Sequence, residues 1–322
     1  MPGCGPRASE ERWCGGAGGL NLDPAGGTNA GPMPALLLAT LLWAVSFGLI
    51  RRHLTELDPT FVAWARMLLA LPVLLPFVRW RELSLWPGRP GQVAVRLAGV
   101  GAVQYGLMYT GYIAAFGFAA GHEVALFTVT TPLYVSLIAD AYARRFDPRN
   151  LGLAALAVAG AVVLQARGLR WSDAWIGFGL VQASNLCFAW GQVTYRRLRR
   201  TAPAARDHAV FAWLYVGGLA VTTVATTAAG GWTSAARVSE TQGLVLLYLG
   251  PVASGLGFYL WNRGAVAVSA GTLAVFNNLK IPLAVVAALL VFGEHADLRR
   301  LALGGGVMLL AAALAVRRSP TS

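Results

Sequence analysis

From Pro34 onward the chain divides into ten apolar stretches, at about 34–51, 60–79, 92–116, 119–140, 150–167, 174–194, 208–229, 243–262, 270–292 and 300–316. Most have roughly the 17–25 residues that a helix needs to cross a hydrocarbon layer. Backbone polar groups in lipid must be bonded within their own segment, so such stretches fold as helices. Their glycines, prolines and small residues suit close helix-to-helix contact. Charged residues make up only 12% of the chain, against about a quarter in soluble domains. The expectation is an all-α polytopic membrane protein whose first partner is the lipid bilayer.

The net charge of +12 raises nucleic acid as a partner. The arginines, however, fall in short clusters between apolar stretches and form no basic face, so no nucleic acid is expected. With both ends placed inside, segments on the inner side hold seventeen arginines and those on the outer side seven. That asymmetry predicts two cytoplasmic termini and a bacterial inner-membrane location. Cys4, Cys14 and Cys187 have neither metal nor disulfide spacing. Residues 1–32 are rich in Gly, Pro and Asn and lack the apolar core of a signal peptide. They read as a disordered leader, or as an over-extended start before Met33.

The remainder repeats. At an offset of 150 residues Phe61 meets Phe211, Leu69-Ala70 meets Leu219-Ala220, Tyr109 meets Tyr259, Ala120-Gly121 meets Ala270-Gly271, and Pro132-Leu133 meets Pro282-Leu283. Five spans per copy place the second copy upside down in the membrane. The fold expected is therefore ten transmembrane helices in two inverted five-helix repeats, 33–168 and 169–322. Secondary transporters use this plan, with substrate held near the midplane between repeats.

The stretch GPVASGLGFYLWNRGAVAVSAGTLAVFNNLKIPLAVVAALLVFGE (Gly250 to Glu294) resembles the second repeat of EamA-type members of the drug/metabolite transporter superfamily, and HEVALFTVTTPLYVSLIAD (His122 to Asp140) resembles the first. The resemblance implies alternating-access export of an amino acid, amine or related metabolite, some members using protons or an exchanged solute. A multidrug or other small-molecule permease of the same fold is the alternative, and a non-transporting membrane protein or an intramembrane enzyme is a more distant one. No cofactor is implied, and a monomer or homodimer is expected.

Ionisable side chains inside a span are costly and usually face a cavity or a partner. Arg66, Glu123 and Lys280 qualify, and Lys280 is the only lysine in the chain. Asn277 shares its helical face, whereas Asn278 lies almost opposite. Glu123, Phe127, Thr131 and Tyr134 form one stripe, and Tyr105, Tyr109 and Tyr112 another. Gln182, Asn185 and Gln192 share a face, as do Tyr259 and Asn262. The substrate-binding set expected is Lys280, Asn277, Glu123, Tyr105, Tyr109, Tyr112, Thr131, Tyr259 and Asn262. Glu123 and His122 are the candidates for proton coupling, and Pro132 and Pro282 for hinges within equivalent helices. Each has a plainer alternative: Arg66 snorkelling, Glu123 on a solvated rim, Lys280 in a structural ion pair, the tyrosines packing. Ser254-Gly255 lacks the glycine of a nucleophile elbow, no histidine lies deep in a span, and zinc and phosphate-loop spacings are absent. An enzyme is not expected.

Overall fold

The computed structural model of the protein describes residues 32–115, 118, 124, 127–165, 171–291 and 298–316. The leader before Pro32, along with His122 and Glu123, lies outside them. The described chain is helical, with no strand among the described residues. Its main elements are α1 (Pro32–His53), α2 (Pro59–Leu74), α3 (Pro90–Gly101) and α4 (Met108–Ala114), then α5 (Thr131–Ala143), α6 (Pro148–Gln165) and α7 (Trp171–Arg200). They continue with α8 (Ala212–Ala229), α9 (Glu240–Leu247), α10 (Gly257–Ala267), α11 (Ala270–Val291) and α12 (Leu298–Val316). A π-helical segment, Ala102–Leu107, joins α3 to α4, and another, Tyr248–Leu256, joins α9 to α10. Among the described residues, four segments are long and apolar enough to cross a membrane: Pro32–Ile50, Pro59–Phe77, Asp207–Ala229 and Glu240–Ala267.

Local chemistry sets the helix ends. Asp58 caps α2, accepting from the backbone N–H groups of Thr60 and Phe61, and Pro59 follows where no donor is needed. Ser239 and Gln242 form a capping box at the start of α9. Gly230 closes α8 in the left-handed conformation at φ 68°. Between α7 and α8, Arg199 donates to Asp207 at 2.7 Å and to the carbonyl oxygens of Ala202 and Ala205, while Tyr195 also donates to Asp207. This knot fixes the turn between α7 and α8.

The packing has a pattern. Helix α1 lies against α11, and α7 against α5; α2 lies against the π segment 248–256, and α8 against the π segment 102–107; α6 lies along α12. Trp43, Phe258, Trp261, Tyr105, Tyr215 and Phe211 form the aromatic centre of the core. Large apolar side chains such as Val224, Leu244, Leu303 and Leu309 face outward, as helices in contact with lipid require.

Pro132 departs from the expectation. It occupies the first turn of α5, directly after a 3-10 turn at Thr128–Thr130, where its missing N–H interrupts no α-helical bond. Pro282 lies inside α11, as expected of a helix interruption. The two prolines are equivalent in sequence but not in local structure.

Candidate functional site

A cavity of about 690 Å³, counted with its open mouth, lies between the helices and is lined by Trp43 and Ser46 of α1, Arg66 of α2, Met108, Tyr109 and Tyr112 of α4, Thr128, Thr131 of α5, Asn185 and Phe188 of α7, Phe258 of α10 and Lys280 of α11, among others.

Its walls are aromatic. The Trp43 ring centroid stands 4.9 Å from Phe258 and 6.2 Å from Phe188, and Phe188 stands 6.0 Å from Phe258. The Trp43 indole donates to the carbonyl oxygen of Ala253 at 2.9 Å, and Tyr215 donates to that of Ser254 at 2.6 Å. Both carbonyls belong to the π segment that contains Pro251. Side chains from α1 and α8 thus bond across the bundle to the backbone of this segment.

Two cations enter this apolar space. Arg66 is buried, its Nε donates to Ser254 Oγ at 3.1 Å, and its guanidinium carbon lies 4.7 Å from the centre of the Tyr109 ring. It does not snorkel. Lys280 is half-buried in the cavity, and its side chain makes no hydrogen bond or ion pair with a described residue. No Asp or Glu occurs among the described lining residues. Neutral polar groups complete the wall. Asn185 donates to the carbonyl oxygen of Phe127 at 2.9 Å and to Thr130 at 3.1 Å, and Thr131 donates to the carbonyl oxygen of Thr128 at 2.7 Å.

The expected site residues are divided by this geometry. Lys280, Tyr109, Tyr112 and Thr131 line the cavity. Tyr105, Asn262 and Asn277 do not: they are fully buried or nearly so in an adjoining polar layer, where Asn262 donates to the Tyr105 hydroxyl. Tyr259 packs edge-on against Phe211 at 5.6 Å and is also absent from the lining. A single helical face extends over more than one level of the bundle, so a shared face does not imply a shared cavity. Gln182 turns to Thr130, Tyr134 and the carbonyl oxygen of Phe127. Trp43, Phe188 and Phe258 were not singled out in the sequence, because an aromatic on an apolar helix reads as packing.

Comparison with known proteins agrees with this architecture. The EamA-like transporter family model matches residues 32–165. A Pseudomonas aeruginosa protein named "Probable biotin transporter" is 41% identical, covering 86% of this chain and 94% of its own length. The chain belongs to the EamA-like transporter family. A second relative in it, the "Biotin transporter" of Salmonella typhimurium, is 38% identical over 86% of this chain and 90% of its own. A solved structure that is 20% identical superposes with a TM-score of 0.67, covering 89% of this chain and 96% of that one, which extends the fold likeness to nearly the full length. This EamA-like transporter is accordingly a multi-pass membrane protein that moves a small molecule.

Proposed function

We propose that this EamA-like transporter carries biotin, or a monocarboxylate closely like it, across the bacterial inner membrane by alternating access. The observation that carries the reading is the pair of cations, Arg66 and Lys280, set in one aromatic-walled cavity with no carboxylate among its described lining residues. An unpaired charge in low dielectric is costly, and an anionic ligand offsets that cost. Two cations select against an amine and give a zwitterion no described counter-charge for its ammonium. They turn the preferred substrate from the amino acids and amines of the family at large to a simple anion. The aromatic wall suits an apolar chain and ring, and the names of the two relatives supply the candidate.

The test is counterflow, which reads substrate identity whatever the direction of net transport. Proteoliposomes loaded with unlabelled biotin are expected to take up radiolabelled biotin at least about tenfold faster than protein-free vesicles. Biotin amide, which lacks the charge, is expected to compete at least about tenfold less well, a difference of about 1.4 kcal/mol. Absence of biotin exchange, or equal competition by the amide, overturns the proposal.

Alternating access draws on the inverted repeat, which we propose as ten spans divided at 33–168 and 169–322. The packing supports it. At the 150-residue offset the contact of α2 with the 248–256 segment corresponds to that of α8 with the 102–107 segment, and α1 against α11 corresponds to α7 against α5. The two π segments also overlap at that offset. Reporter fusions after Arg200 and after Arg318 are expected to read cytoplasmic, and one near Glu240 external. A cytoplasmic signal at Glu240 is incompatible with ten spans and inner termini.

A further inference from the structure

One helical turn past the cavity lies a layer of amides to which the cavity itself assigns no task. Gln104, Gln192, Asn262 and Asn277 are each 0% exposed. Each stands one turn along its helix from a lining residue: Gln104 from Met108, Gln192 from Phe188, Asn262 from Phe258, and Asn277 from Lys280. If the amino terminus is inside, all four displacements point the same way, towards the cytoplasm, so the layer is a floor to the cavity.

The bonds within the layer leave a defined remainder. The Trp261 indole donates to Gln192 Oε1 at 2.9 Å. Asn277 Nδ2 donates to the Leu273 carbonyl oxygen at 3.1 Å and to Gln192 Oε1 at 3.4 Å. Gln104 Nε2 donates to Asn262 Oδ1 at 3.2 Å. An indole N–H can only donate and a backbone carbonyl can only accept, so the amide orientations of Gln192 and Asn277 are fixed by their partners. Three atoms then have no partner among the described residues: Gln104 Oε1, Gln192 Nε2 and Asn277 Oδ1. They are close in the fold. Asn277 and Gln192 are bonded to each other, and a methyl group on Gly191 would stand 2.2 Å from Gln104 Cβ. Buried polar atoms are rarely left unbonded, and three in one layer point to something that bonds them.

With Gln104 donating to Asn262, and Asn262 to the Tyr105 hydroxyl, the remainder is one donor and two acceptors. A cyclic urea presents the complement, one carbonyl acceptor flanked by two N–H donors. We infer that this layer is the station for a cyclic ureido group on the substrate, with Gln192 donating to its carbonyl and Gln104 and Asn277 accepting from its nitrogens. The carboxylate is then held at Lys280 and Arg66, and the intervening chain passes Trp43, Phe188 and Phe258. The ring enters as α7, α10 and α11 separate from the 102–107 segment during the transport cycle. This assignment rests on the carboxylate reading above and adds the second half of the substrate to it.

The experiment is competition for radiolabelled biotin counterflow by three acids that all keep the carboxylate. Desthiobiotin keeps the urea and loses the sulfur. Iminobiotin replaces the carbonyl oxygen by nitrogen, turning the acceptor into a donor. A thiolane pentanoic acid lacks the ureido group altogether. Desthiobiotin is expected to compete within about threefold of biotin. The other two are expected to be weaker by about thirtyfold or more, because a site built for hydrogen bonds rejects a ligand that leaves them unmade. Gln192→Glu keeps an acceptor for Trp261 and exchanges the donor for a second acceptor. It is expected to lose biotin exchange and gain iminobiotin exchange. If the urea-free acid competes as well as biotin, or if Gln192→Glu exchanges biotin like the wild type, the layer binds only water and the inference is overturned, with the carboxylate reading intact. If biotin itself does not exchange, both fall. The wild-type competitors decide the matter even if the variant does not fold.

Discussion

Lys280→Met is expected to cut biotin counterflow by about tenfold to a hundredfold while leaving the protein folded and at least as stable to heat. The size follows from losing one hydrogen bond to a charged group, about 1.5–3 kcal/mol, which converts at about 1.4 kcal/mol per factor of ten. The sign on stability follows from where the side chain lies. Lys280 is half-buried in an aromatic cavity and its amine has no bonded partner among the described residues. Insertion of a lysine at a helix centre costs about 2.5–3.5 kcal/mol, and methionine of similar length removes that cost without leaving a counter-charge stranded. A lysine held in a structural ion pair would behave in the opposite way, since its loss would strand a buried carboxylate and lower stability. Lys280→Arg is expected to rescue transport only in part, because the planar guanidinium fills the cavity differently. A further reading isolates the charge: in Lys280→Met the preference for biotin over its amide should shrink towards what Arg66 alone provides. Wild-type exchange by Lys280→Met, with the preference unchanged, would remove Lys280 from the site.

How far the site was legible in the sequence depended on chemical contrast. A lone lysine or arginine in an apolar stretch stands out, because lipid makes it costly and few residues compete with it for attention; Lys280 and Arg66 both line the cavity. Tyr109, Tyr112 and Thr131 were legible as polar stripes at helical spacing. Periodicity reports direction around a helix but carries no depth, so it groups Tyr105, Asn262 and Asn277 with the cavity although they lie one turn below it. Aromatics carry no contrast at all in apolar sequence, and Trp43, Phe188 and Phe258 went unmarked for that reason. The π segments were equally silent, since Ala102–Leu107 has no residue that announces a wider register and Pro251 of Tyr248–Leu256 reads as an ordinary kink. Glu123 and His122, expected to couple protons, lie outside the described residues. The helical class was legible because it rests on length and hydropathy, which lipid constrains tightly.

The largest structural effect is expected at the crossing of α3 and α8, where Gly101→Ala and Gly217→Ala should each sharply reduce the yield of folded, membrane-inserted protein. A methyl group on Gly101 would stand 1.8 Å from the carbonyl oxygen of Leu214, and one on Gly217 would stand 1.8 Å from that of Ala98. Both obstacles are backbone, so no side chain can rotate away, and the helices must separate along the contact. In lipid, helix association depends on close packing rather than on expulsion of water, so a gap at a glycine crossing has little to offset it. The contact also joins the first half of the chain to the second and places Tyr105, which follows in the π segment, against Tyr215 at 5.2 Å. Gly91 and Gly99 on the same helix are the controls, since a methyl group on either would meet nothing within 4 Å; alanine there should be tolerated, and a better helix former is even expected to help slightly. The measurement is the fraction of monodisperse protein recovered after extraction, together with its melting temperature, for the four single variants. If Gly101→Ala and Gly217→Ala matched the two controls, α3 and α8 would not cross at these glycines, and the packing of the two halves would have to be redrawn around a different contact.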